Sequence, residues 1–322
     1  MRSPILLMCG LVVLTLSCSD DKPTEPTIRV PTVITATVTR AMQSTALCGG
    51  EVTSDGGATV IARGVCWCAQ QTPTTADSNT ADGSGTGSFT SSIPGLASGT
   101  LYYIRAYATN STGTGYGNLD SFTTAPAVTD IDGNSYQTVI IGTQVWMAEN
   151  LNVTHYRNGE AIPRVTDDAT WDGLTTAAYC EYNNNTNLAA VNGRLYNSYA
   201  ATDSRSIAPT GWHVPTDTEW QTLIDYLGGA AVAGGKMKEA GAFRWAPPNT
   251  GATDESGFCA RPGGARGHPG YFGDIGRTAH FWSSTETGSE GLYSRWLSCD
   301  DSSAHRGGGF AISGFSVRCV KD

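Results

Sequence analysis

The sequence predicts a mainly β chain with an α+β part, a β-sandwich followed by a second, α+β domain, and three observations predict it. Of 322 residues 39 are Gly and only 15% are charged, against about 7% Gly and 25% charged in ordinary soluble chains, which points to short strands joined by many turns. Period-2 segments separated by Gly, Ser and Asp clusters recur between Pro31 and Ala125, the pattern of half-buried strands. Beyond Pro126 the strand-like pattern continues, but Trp220, Leu223, Ile224 and Leu227 fall at helical spacing, so one helix packs among strands. The length allows two domains that each bury a core. With a formal charge of −9 and 39% hydrophobic residues, the chain is neither a disordered acidic tail nor a nucleic-acid binder.

Residues 1–17 read as an export signal: Arg2, an apolar run from Ile5 to Leu16, then Ser17. The run is shorter than the roughly 20 residues that cross a bilayer. Thr15-Leu16-Ser17-Cys18 resembles the bacterial lipoprotein box, which implies acylation of Cys18 and a membrane partner through the lipid; the box prefers Leu where Thr15 stands. An ordinary secretory cleavage is the alternative. Residues 18–30 are polar and proline-punctuated, an extended tether. Their Ser19-Asp20-Asp21 stretch resembles the surface-export tags of Bacteroidetes-type lipoproteins, which implies the outer membrane or cell surface.

Residues 31–125 hold six strand-like segments, 33–39, 46–53, 60–68, 88–93, 101–110 and 116–123, enough for a sandwich. Asp55-Gly56-Gly57 is a hairpin turn signal between the second and third. The segment from Leu96 to Ala108, with Tyr102 at the tyrosine-corner position, and the closing Asp120-Ser121-Phe122-Thr123-Thr124 resemble fibronectin type III strands, although Ser98 stands where that family usually has Pro. The resemblance puts Ile104, Ala106 and Ala108 inward and Tyr103, Arg105 and Tyr107 outward. Strand parity directs Cys48, Cys66 and Cys68 between the sheets; a Cys48–Cys66 bridge is expected, with Cys68 as the competing partner.

Residues 126–322 open with a meander from Asp130 to Met147. Asp130, Asp132 and Asn134 have calcium-loop spacing, but Ser135 and Ile141 stand where such a loop needs Gly and Glu, so a hairpin turn is expected. Thr216 or Asp217 caps the helix and Gly228-Gly229 ends it. Trp146-Met147-Ala148-Glu149-Asn150-Leu151, Gly193-Arg194-Leu195-Tyr196-Asn197, Gly211 to Trp220, Trp282-Ser283-Ser284-Thr285-Glu286 and Gly314 to Cys319 together resemble the Fibrobacter succinogenes major paralogous domain, from about residue 128 to the end. That resemblance implies a secreted or surface protein and no particular reaction. The Val214 to Trp220 helix start and the glycine-rich closing strands also resemble the formylglycine-generating enzyme and C-type lectin-like fold, which implies a C-type lectin-like core.

Neither relative's chemistry follows. The oxidase works through a close cysteine pair that binds copper, whereas Cys299 and Cys319 are far apart in sequence, and the calcium lectins' acid-Pro-Asn motifs are missing. G-x-S-x-G, H-E-x-x-H and P-loop patterns are also lacking, and the five histidines have no metal-type spacing. No cofactor or metal is implied. Cys180, Cys259, Cys299 and Cys319 allow three pairings; Cys180–Cys319 and Cys259–Cys299 are favoured, the first because both fall in the family's recurring segments. The candidate ligand surface is the Gly/Pro-rich stretch 243–276, where Trp245, Arg266, His268, Tyr271, Phe272 and Asp274 offer flat apolar faces and hydrogen-bonding groups suited to a sugar. The functional expectation is a cell-surface lipoprotein with a non-catalytic binding or adhesion head for polysaccharide. A diverged formylglycine-type oxidase and an envelope module binding other proteins are the alternatives.

Overall fold

The structure, a computed structural model, describes residues 27–288 and 291–322. The expected signal of residues 1–17, Cys18 and most of the tether lie outside the described residues. The chain is mainly β, with antiparallel sheets.

Its N-terminal part contains β1 (Thr32–Thr35), β2 (Arg40–Met42), β3 (Ala46–Ser54), β4 (Ala62–Cys68), β5 (Ser78–Asn79), β6 (Gly87–Ile93), β7 (Leu101–Asn110), β8 (Gly113–Tyr116) and β9 (Asp120–Thr123). The last expected segment divides into β8 and β9, the first ends at Thr35, and β2 falls where the pattern predicted no strand. β3 pairs with β1, β2 and β6 in one sheet; β4, β5, β7, β8 and β9 form the other. Val33, Val52, Val65, Trp67, Ile93, Ile104, Ala106 and Ala108 fill the space between them. The Ala97 N–H donates to the Tyr102 hydroxyl at 3.0 Å, the hydrogen bond of a tyrosine corner.

Three local expectations are corrected. Because β3 and β4 belong to different sheets, Asp55-Gly56-Gly57 closes no hairpin; it carries the chain across the sandwich, with Gly56 at φ 71° where a Cβ would lie 2.0 Å from the Arg29 carbonyl oxygen. Next, Val65 and Trp67 face the core, opposite Ala106 and Ile104, so Cys66, opposite Arg105, points to the outer face of β4. Cys48 faces inward and cannot bridge to Cys66 through the sheet. The parity reading failed because the chain around Thr80 covers that outer face: a Cβ on Gly64 would meet the Thr80 carbonyl oxygen at 2.3 Å. Finally, Tyr107 is 5% exposed and donates its hydroxyl to the same carbonyl at 2.6 Å.

The second part, the head, begins with the β10 (Val128–Thr129) and β11 (Ser135–Tyr136) hairpin. The Asp130 carboxylate accepts the N–H groups of Asp132 and Asn134 and the Tyr136 hydroxyl, which organises that turn. β12 (Thr138–Ile141) and β13 (Gln144–Met147) follow. Then come α1 (Asp168–Asp172), β14 (Tyr179–Cys180), α2 (Thr186–Asn192), β15 (Leu195–Tyr196), α3 (Ser198–Ala201), β16 (Trp212–His213), α4 (Asp217–Tyr226) and α5 (Ala230–Met237). β17 (Ala265–Arg266), β18 (Phe272–Gly273), β19 (Thr278–Glu286), β20 (Gly291–Ser298), β21 (His305–Phe310) and β22 (Val320–Lys321) complete the order. β13 pairs with β22, which pairs with β16, so the two ends of the head lie side by side; β19, β20 and β21 form a separate sheet. On its other edge β12 pairs with β2 of the sandwich, and one sheet therefore runs through both parts.

α4 starts on a capping box: Thr216 accepts from the Glu219 N–H while the Glu219 carboxylate accepts from the Thr216 N–H. Gly228 and Gly229, at φ 101° and 93°, end it without the cost a side chain would bring. Its buried Trp220 lies 4.7 Å from Trp146 and 5.6 Å from Phe281, centroid to centroid. β19 separates two cores, with Phe281 in the one beneath α4 and Trp282 in the other.

Long stretches between these elements are buried without a ladder to satisfy their carbonyls. Three fully buried cations do so instead: Lys238, Arg266 and Arg318 are each 0% exposed. Lys238 donates to the carbonyls of Thr250, Ser298 and Asp301. Arg318 donates to Asn150 and to the carbonyls of Met147, Phe258 and Cys259. Burial pushes the Arg318 pKa down to about 9, so the guanidinium stays charged at neutral pH.

All seven described cysteines are free thiols, and the expected pairs are corrected. Cys180 sits under α1 with Trp171 and Tyr182, Cys319 in the core with Trp282 and Cys299 in the core with Trp220. Cys259 is half-buried in a loop, its N–H bound to Asp254 at 2.8 Å. Cys180 and Cys319 therefore belong to different cores, and neither Cys259 nor Cys299 is bridged. Burial pushes Cys48 and Cys66 up to about 11 and Cys180 up to about 12, which leaves them unreactive.

Two outcomes are expected. Alkylation without reductant labels Cys48, Cys66, Cys180, Cys299 and Cys319 only after unfolding, and a bridged peptide in a non-reducing map contradicts this. Arg318→Met strands three buried carbonyls and lowers stability by at least about 3 kcal/mol, read from urea midpoints at unchanged slope.

Candidate functional site

The residues that carry the family motifs hold one another rather than a ligand. Trp220 donates its indole N–H to the Trp282 carbonyl at 3.2 Å, and Trp282 donates to the Tyr196 carbonyl at 2.7 Å. Asn150 accepts from Arg318 and donates to the Asn192 carbonyl at 2.7 Å. All are buried.

The expected ligand surface divides. Trp245 is 1% exposed and donates its indole N–H to the Ala260 carbonyl at 2.9 Å; it is a core residue, and its expected sugar-facing role is corrected. Arg266 is buried between Trp171 and Phe272, 4.5 and 4.7 Å from the ring centroids. It donates to the carbonyls of Val165, Thr166 and Gly270 and to the Asp168 carboxylate at 2.7 Å, so it positions loops, and it is fully buried away from any surface ligand. Phe272 packs on Tyr182 at 5.3 Å. Asp274 is exposed, at φ 63°, and its carbonyl accepts from Arg277 and Thr278 in a turn. His268 and Tyr271 do face solvent, at 61% of the side chain and 66% respectively.

Only His268 of this set lines the large cleft, a cavity of about 900 Å³ in the head. One wall is Leu174 and Thr175 beyond α1, another Ser198, Tyr199 and Thr202 on and after α3, and the third Glu286, Leu292 and the turn Phe310, Ala311 and Ile312. These walls are fixed by long-range bonds. Asn197 caps α3 through the Ala200 N–H, accepts the Ala178 N–H and donates to the Thr176 carbonyl. Trp171 donates its indole N–H to the Ile312 carbonyl at 2.7 Å, and the Ser198 N–H donates to Ala311 at 2.9 Å. His268 is held by Asp172, Nδ1 to Oδ1 at 2.5 Å. Its loop closes against α1 where Gly270, at φ 101°, would place a Cβ 2.6 Å from the Asp168 carbonyl oxygen, an approach only glycine allows.

The cleft combines apolar faces, above all Phe310 at 70% exposure, with the four hydroxyl side chains of Thr175, Ser198, Tyr199 and Thr202, the Glu286 carboxylate and an oriented His–Asp pair. Apolar faces with a few convergent polar groups are the usual make-up of a small-molecule pocket. Sequence reasoning missed Tyr199, Phe310 and Leu174; the available signal was Phe310, one aromatic closing a run of three glycines. Among the described residues no group of three or more His, Cys, Asp or Glu is placed to hold a metal ion, and no helix is long and apolar enough to cross a membrane.

The fold is thus a sandwich joined to a loop-rich, mainly β head. Residues 139–321 match the Fibrobacter succinogenes major domain, more than half of the chain, and the chain belongs to that family. Among solved structures it is similar to the third fibronectin III domain of human KIAA0343 protein, at 16% identity over 34% of this chain and 94% of that one, TM-score 0.25. It is also similar to the fibronectin type-III domain of human fibronectin type III domain containing protein 3 (19% identity, 34% and 93% covered, TM-score 0.21). A third similarity is to the sensor domain of the anti-sigma factor RsgI4 of Pseudobacteroides cellulosolvens (12% identity, 31% and 99% covered, TM-score 0.24). No curated protein matches significantly.

Trp245→Ala is expected to cost about 3 to 5 kcal/mol of stability, as a core deletion does, and Tyr271→Ala less than about 0.5 kcal/mol. Urea unfolding of the two variants checks the contrast.

Proposed function

We propose that the chain is an exported lipoprotein, acylated at Cys18 and carried on the outer membrane or cell surface, whose head binds polysaccharide without turning it over. The observation that carries the binding reading is the cleft, where the exposed Phe310 ring stands among Ser198, Thr202, Thr175 and Glu286. An aromatic face stacks on a sugar ring while hydroxyl and carboxylate groups take its hydroxyls. The anchor rests on the Thr15-Leu16-Ser17-Cys18 pattern.

The head is further proposed to be C-type lectin-like. In support, an early strand and the last lie together through β13 and β22, α4 packs on the strands, and the chain between α5 and β19 is mostly irregular loop. An oxidase through a late cysteine pair is the weaker reading, since Cys299 and Cys319 belong to different cores. Binding to an envelope protein is the reading left if no polysaccharide retains the native protein.

Retention of the native protein on insoluble polysaccharides, compared with Phe310→Ala and Tyr199→Ala, tests the reading. Loss of one stacking face is expected to weaken binding about tenfold, with the melting temperature unchanged in Phe310→Ala, whose ring is exposed, and lowered in Tyr199→Ala, whose ring packs on the core. Equal retention of all three proteins, or none of any, counts against the cleft as the sugar site.

A further inference from the structure

We propose that β2 is one strand shared by two cores, and that the edge of β12 is an interaction surface built for it, so that the sandwich completes the head rather than merely preceding it. Successive side chains of a strand point to opposite faces. In β2 the two faces are two domains: Ala41 packs against the sandwich core and Met42 against the head core beneath α4. The backbone is shared in the same way. Ala41 and Met42 lie opposite Ile140 and Val139 of β12, Arg40 and Ala41 lie opposite Leu47 and Ala46 of β3, and the Gln43 N–H donates to the Thr138 carbonyl at 3.2 Å.

The contact is shaped beyond the ladder. Arg40 reaches into the head and donates to the Asp254 carbonyl at 2.9 Å. Gly257, at φ 70°, makes room for it: a Cβ there would lie 2.8 Å from Arg40 Cδ and 3.1 Å from Val139 Cγ2. The connecting segment is stitched to the same place, with the Ala125 N–H donating to the Met42 carbonyl at 3.2 Å and Thr138 Oγ1 donating to the Pro126 carbonyl at 2.6 Å. An uncovered edge strand pairs with whatever strand it meets. The surface formed by β12, Gly257 and the Asp254 carbonyl fits a strand that brings, in order, a basic, a small and an apolar side chain. Consecutive domains normally move against each other unless their interface is extensive; a shared strand removes that freedom. This holds whatever the cleft binds.

The test uses the whole chain. Scanning calorimetry is expected to show one cooperative transition, unchanged when Gly-Ser-Gly-Ser is inserted after Ala127, because the strand and not the linker holds the parts. In the double variant Arg40→Ala, Gln43→Pro, two transitions and a larger radius of gyration in solution scattering are expected. Should that variant fail to fold, Met42→Ala serves: hydrogen exchange at Ile140 and Ile141, in the head, rises about tenfold although the substitution lies in the sandwich. Two independent transitions in the native protein, separation caused by the linker insertion alone, or exchange changes confined to the sandwich would each overturn the proposal.

Discussion

The head depends on the charge-assisted hydrogen bonds that three buried cations make to backbone carbonyls. A loop placed inside a protein carries carbonyls that no ladder satisfies, and leaving each one unpaired costs about 1 to 3 kcal/mol. Lys238, Arg266 and Arg318 gather nine carbonyls between them, seven in loops and two, of Met147 and Ser298, at the ends of β13 and β20. Each cation also lies against an aromatic face: Lys238 over Trp245, Arg266 over Trp171 and Phe272, Arg318 over Phe258 and Phe281. The rings supply quadrupolar attraction where water is excluded. Loops thereby become as fixed as strands, which lets a chain with few long elements hold a defined surface.

The cleft follows from that fixing. Arg266 draws the segment before α1 and the loop bearing His268 onto one point, and Trp171, on the far side of the same guanidinium, holds the turn that presents Phe310 and Ile312. Walls that are far apart in sequence thus meet through two side chains that lie outside the lining of the cleft. The junction with the sandwich obeys a similar economy: alternation along β2 and one glycine in the opposing loop fix it.

Much of the architecture was legible in the sequence, because strands and helices report burial at fixed offsets. The spacing of Trp220, Leu223 and Ile224, with Thr216 before and Gly228-Gly229 after, located α4 and its buried face. Ile104, Ala106 and Ala108 likewise marked the inward face of β7. Parity misled at Cys66 because alternation separates two faces without saying which is uncovered, and the segment around Thr80 buries the second. The motifs of the family were legible for a related reason: Trp146, Asn150, Trp282 and Arg318 interlock in the core and therefore describe the fold, not the site.

Trp245, Arg266 and Phe310 mark where reading along the chain ends. In a loop there is no periodicity to state which way a side chain turns, so an aromatic residue destined for a core and one destined for solvent carry the same local signal. By itself the sequence determined the mainly β class, most strands of the sandwich, the capped helix and the family. The tertiary structure alone decided which aromatics meet water, that Cys48, Cys180, Cys299 and Cys319 stand in four separate cores, and that one short strand belongs to two domains. Each of those outcomes rests on contacts between residues distant along the chain, whose loop-closure entropy is offset only when the whole fold assembles.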